Sequence, residues 1–96
     1  MVASGGLKIT GELDLAGVPD VQAQLDRLDG DILVDCSELT FIDCSGLGMF
    51  VRAHQTCEAR GVKLVLANPP PLMQKLLGIT NLDSVLNVQV DESSHE

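Results

Sequence analysis

Apolar and polar positions alternate cleanly near the start of the chain. Leu7, Ile9, Leu13 and Leu15 share one parity, while Lys8, Thr10, Glu12 and Asp14 take the other. A period of two predicts a strand with one face on a core. Gly11, in the middle of that run, predicts a bulge or a close backbone approach. The period then changes. Val18, Val21, Leu25 and Leu28 recur at helical spacing, Pro19 falls where a first turn tolerates it, and Gly30 follows the last repeat. "DILVDC" is short, almost continuously apolar and rich in β formers, which predicts a strand covered on both faces, as in a parallel sheet.

The helical period returns from about Ser45 to Arg60 and stops at Gly61. Phe50, Ala53 and Cys57 form one stripe there, with Leu47, Val51 and His54 beside it. "VKLVLA" predicts a third strand. "NPPPLMQKLLGI" cannot stay extended, and its third proline, Pro71, suits the start of a helix carrying Leu72, Met73, Leu76 and Leu77. "TNLDSVL" predicts one or two helical turns and "NVQV" a last strand. Strands separated by helix-length segments mean α/β with a mostly parallel sheet. One domain over residues 1–96 is expected, with a core over about 7–90 and a polar tail, "DESSHE", that frays. No internal repeat or linker interrupts it.

Composition narrows the function classes. The chain is 45% hydrophobic, with two Phe and no Trp or Tyr, so an aliphatic core is expected and stacking platforms for single-stranded nucleic acid are missing. Fourteen acidic against six basic residues give a net charge of −8, with the cations scattered singly. That balance disfavours nucleic acid and anionic membranes and suits a protein partner with a basic surface. No stretch approaches the ~20 apolar residues of a membrane span, and "MVASGGLKIT" lacks the features of a secretion signal. Three cysteines without a CxxC argue against a disulfide framework and for a reducing cytoplasm.

The chemistry concentrates in "FIDCSGLGMF", where an apolar run gives way to glycines. Ser45 admits three readings. It can cap the following helix by accepting a backbone N–H. As a hydrolase nucleophile it fails: a nucleophile elbow needs G-x-S-x-G, but Asp43 and Leu47 stand at the outer positions. His54 would lie about 13 Å along the helix from Ser45 at ~1.5 Å per residue, and His95 is in the tail. As a phosphoacceptor it sits where a helix start favours an anion, with Gly46 and Gly48 leaving the approach bare.

Other chemistries have weaker support. Cys36, Cys44, His54 and Cys57 do not match a zinc spacing, so no metal is expected. Cys36 and Cys57 read as buried small hydrophobes. Cys44, near a helix start, is a possible redox thiol, although Asp43 opposes its ionisation. "GLG" matches neither common phosphate loop, and no cofactor is expected. Asp14 and Asp43 read as a strand-end turn residue and a loop acceptor near the serine.

"TGELD" (Thr10 to Asp14), "LTFIDCSGLG" (Leu39 to Gly48) and "PPLMQKLLGITNL" (Pro70 to Leu82) together resemble the bacterial anti-sigma factor antagonists of the STAS domain family. The resemblance runs from about Leu7 to Val90. It implies a small mixed sheet with helices packed on one face, here mostly parallel with about four strands. It also implies a partner switch without enzymatic activity. The unphosphorylated antagonist binds an anti-sigma factor that is an ATP-binding serine kinase, and a sigma factor is freed. Phosphorylation ends the binding, and a phosphatase resets it. The family's acceptor is the second residue of its Ser-Ser pair, which matches Ser45. Asp14, Asp43, Cys44, Gly46, Leu47 and Gly48 match the partner surface. Two departures stand out: Cys44 replaces the first serine, and only "MVASGG" precedes Leu7, so the family's first edge strand is short or missing. The chain is expected as a monomer, and the uncovered edge makes a dimer the alternative. The rival functions are a thiol-based redox regulator acting through Cys44 and an accessory STAS subunit of another complex.

Overall fold

The computed structural model describes residues 5–28 and 30–90. The expected frayed tail, and any strand ahead of the first one on residues 1–4, lie outside them. Strands β1 (Gly5–Leu13), β2 (Ile32–Ile42), β3 (Leu64–Ala67) and β4 (Asn87–Gln89) alternate with helices α1 (Val18–Asp26), α2 (Cys44–Ala59) and α3 (Pro71–Ile79). A 3-10 turn over Leu82–Ser84 leads into β4. The strands lie in the order β1-β2-β3-β4. The sheet expected as mixed and mostly parallel is parallel at all three pairings.

Right-handed crossovers between neighbouring parallel strands all return over the same side of a sheet. Burial agrees: along β2, Ile32, Val34 and Cys36 are buried while Leu33 between them is exposed. The expectation that this strand is covered on both faces is thus corrected. Three consecutive crossovers in one direction cover a single face, and the other carries Lys8, Thr10, Glu12 and the Lys8–Glu38 ion pair at 2.9 Å. The core lies between the covered face and the helices, with Leu13, Val34, Phe50, Met49, Leu66 and Met73 fully enclosed.

Local signals set the element ends. Pro19 and Pro71 stand in the first turns of α1 and α3, where no intrahelical N–H is lost. Gly11 has φ +79°, and the β1–β2 register shifts beside it, between Gly11 and Glu12. The extra residue sits on β2: Gly11 pairs with Leu39 and Glu12 with Phe41, which leaves Thr40 over. A similar shift between Lys8 and Thr10 also adds its residue to β2.

Two core assignments are corrected. β1 ends at Leu13, and Leu15, expected on the core face, is 73% exposed beyond the turn made by Asp14. Leu72 faces outward from α3, whereas Met73 and Leu77 are buried.

Candidate functional site

In a parallel sheet all carboxyl ends of the strands lie at one end, and the loops that leave them are neighbours. Leu13 and Ile42 are paired at that end, and the Asp43 N–H donates to the Leu13 carbonyl at 3.4 Å. Asp14 and Asp43 therefore occupy equivalent places at the tips of adjacent strands. Each organises the chain that follows. The Asp14 carbonyl accepts from the N–H of Gly17 at 3.0 Å and of Val18 at 3.1 Å. Its Oδ1 also accepts from the Gly17 N–H at 3.2 Å, which tightens the turn into α1.

Asp43 is the N-cap of α2. Its Oδ1 accepts from the N–H of Ser45 at 2.9 Å and of Gly46 at 3.3 Å, and its carbonyl accepts from Leu47 at 3.1 Å. This settles one of the serine's readings: the helix begins at Cys44, one residue earlier than expected, and Ser45 lies inside its first turn. The carboxylate, not the hydroxyl, satisfies the orphan N–H groups.

Among the described residues, the one buried side-chain nitrogen or oxygen without a partner is His54 Nδ1. The Ser45 hydroxyl has no hydrogen-bond partner among the described residues and is not among the buried unpartnered atoms, so it reaches the surface. It stands between exposed Cys44 and the packed base of the helix.

The two glycines beyond it differ. Gly46 is buried, and a Cβ there would lie 2.8 Å from Ile42 Cγ1 and 3.0 Å from Leu13 Cγ. The expectation that Gly46 bares the helix start to a partner is corrected: it lets α2 seat directly on the ends of β1 and β2. Leu47, also expected at the partner surface, is buried in the core at 2% exposure. Gly48 is partly exposed, with only the Arg52 guanidinium near its face. Asp14, Asp43, Cys44, Ser45 and Gly48 thus keep exposed surface.

The other chemical candidates stand apart. His54 is buried on α2, with Nε2 3.5 Å from the Glu58 carboxylate four residues on. Cys36 is fully enclosed, and burial, with a smaller effect from Asp35, pushes its thiol up to about 12. Burial also raises the Cys57 thiol. Among the described residues, no three His, Cys, Asp or Glu side chains cluster as metal ligands.

The period-two reading missed Phe41, which is 43% exposed beside the site. With Leu72 and Pro70 it lines a small cleft between the end of β2 and the start of α3. Leu39 and Phe41 share parity, but Thr40, the extra residue on β2, turns Phe41 out and keeps Ile42 in.

A family model described as "Mlab, STAS domain" matches residues 2–88. The chain belongs to the STAS domain family. Among relatives of this STAS domain, the anti-sigma-B factor antagonist of Staphylococcus aureus (strain NCTC 8325 / PS 47) is 30% identical over 86 residues, covering 85% of this chain and 80% of that one. A candidate anti-sigma factor antagonist of Thermotoga maritima superposes with a TM-score of 0.84 at 21% identity, covering 99% of this chain and 86% of its own. The Bacillus anti-sigma factor antagonist SpoIIAA has been solved in two forms. The unphosphorylated one gives a TM-score of 0.72 at 24% identity, covering 99% of this chain and 87% of its own. The phosphorylated one gives 0.71 at 24%, covering 99% and 91%. These structures fix the STAS fold. Among the described residues of this STAS domain, no helix is long and apolar enough to cross a membrane.

Proposed function

We propose that this chain is an anti-sigma factor antagonist whose single STAS domain is switched by phosphorylation of Ser45. Unphosphorylated, it binds an anti-sigma factor that is also an ATP-dependent serine kinase, and a sigma factor is released. The kinase transfers a phosphoryl group to the Ser45 hydroxyl, and a phosphatase removes it. The domain supplies an acceptor and a surface, without catalytic groups of its own, and acts in the cytoplasm.

One observation carries the reading: a partly exposed serine in the first turn of α2, in the motif position of a family whose named relatives are antagonists. Asp14, Asp43, Cys44 and Gly48 surround it as the docking surface, while Gly46 and Leu47 fix the helix beneath. A phosphate adds about −1.5 to −2 charge. It would do so beside a carboxylate that already holds the first free N–H groups of the helix, so an approaching partner meets concentrated negative charge.

The test is capture of a partner from extract with the unphosphorylated chain, followed by addition of ATP. An ATP-binding protein should be retained, and it should then label wild type but not Ser45→Ala. Ser45→Ala should keep binding, and Ser45→Asp should lose it. Labelling that persists in Ser45→Ala moves the acceptor elsewhere. The exposure of Cys44 beside Ser45 supports a second reading, thiol-based control of the same docking surface. Peroxide treatment that alters partner capture in wild type but not in Cys44→Ser would favour it.

A further inference from the structure

β1 is an edge of the described sheet, and over nine residues it is long for an edge left unpaired. Its outer side is not blunted by an inserted residue, because both register shifts place the extra residue on β2. Beside it, β1 and α1 leave a groove of about 220 Å³, lined by Leu7, Ile9 and Val21 as well as by polar residues. On the uncovered face the strand reads Lys8, Thr10, Glu12, all exposed. That order is self-complementary. If a second β1 runs antiparallel with Thr10 opposite Thr10, Lys8 of each copy stands opposite Glu12 of the other. Residues 7–13 of the two copies then lie opposite one another, with Gly11, at φ +79°, the one departure from extended backbone in each.

We propose that the free edge of β1 binds a second copy of this chain, antiparallel and centred on Thr10, joining two four-stranded sheets into one of eight. The interface is isologous, as a twofold axis requires. It uses backbone N–H and C=O groups that the β1–β2 pairing leaves unused, as in strand addition at other sheet edges. Two Lys8–Glu12 pairs, one on each side of the axis, set the register, since opposite charges directly across a pair stabilise it and like charges oppose it. The Lys8 ammonium has three donors, so its 2.9 Å contact with Glu38 leaves others for the second copy. The antiparallel arrangement places the two Ser45 sites at opposite ends of the joint sheet, and neither is covered. The inference is therefore independent of the antagonist reading.

The test is sedimentation of the full chain over a concentration series, for wild type, Lys8→Glu, Glu12→Lys and the double exchange. Wild type should dimerise, each single reversal should weaken dimerisation about tenfold or more, and the double exchange should restore it. Both positions are exposed surface, and thermal melts check that each variant folds. A second test does not depend on charge: Thr10→Cys in a Cys44→Ser background should cross-link to its own copy on mild oxidation, since residues directly opposite lie within disulfide reach. A wild type that stays monomeric overturns the proposal and leaves the edge to residues 1–4 or to another protein. A dimer indifferent to both reversals, or a Thr10→Cys variant that does not cross-link, overturns it as well.

Discussion

At the scale of single residues, Asp43 and Gly46 do most to place the serine. Asp43 holds the first turn of α2 through Oδ1 contacts of 2.9 and 3.3 Å. Asp43→Ala should lower stability by about 1 kcal/mol, the usual cost of a lost N-cap, measured by urea unfolding. Gly46→Ala tests the contact beneath. Its new methyl would fall 2.8 Å from Ile42 Cγ1, so a loss of ~1–3 kcal/mol is expected, as for overpacking in a filled core. A variant as stable as wild type would show that α2 can lift off the strand ends. The sequence points to Ser45 and Asp43 as a pair, but not to which of them caps. Both are good capping residues, and a two-residue change in where the helix starts exchanges their roles. The buried role of Gly46 is only half local, since besides Ile42 it depends on Leu13, which lies 33 residues away in the chain.

At the scale of elements, α2 is the most constrained. Its face against the sheet includes Phe50, fully enclosed, with Ala53 and Cys57 on the same stripe. Phe50→Ala should cost ~3–5 kcal/mol, the range for truncating a buried aromatic, with the loss read from chemical denaturation. The helical and strand periods make the described elements legible in kind and order, although β2 runs on to Ile42, beyond the "DILVDC" run that announces it. What they do not carry is the phase change inside β2. Thr40 is an ordinary strand residue, and only its pairing against Gly11 and Glu12 makes it surplus. That surplus residue exposes Phe41. The exposure of Leu33 is likewise unreadable locally, since a nearly continuous apolar run looks the same whether one face or two are covered.

At the scale of the whole molecule, the one-sided architecture encloses two thiols in the core and leaves the third outside. An unfolded chain would ionise Cys36 near the ordinary 9.0, the folded chain only near about 12. Between those values the unfolded state binds fewer protons, so this contribution to stability is full below pH 9 and falls as pH rises towards 12. Burial of Cys57 acts in the same direction. Urea unfolding at about pH 8 and about pH 10 should show the decline, and Cys36→Ala should make it shallower. An unchanged slope in that variant would mean the thiol is not enclosed as described. The same architecture gathers the strand tips at one end, where Asp43 has already claimed the N–H groups that a phosphoryl group on Ser45 would otherwise occupy. A phosphoryl group added there, as proposed above, would find those two N–H groups taken and would point towards solvent. On that proposal, removing the phosphate would need no local melting, only a hydrolase that can reach an outward-pointing ester.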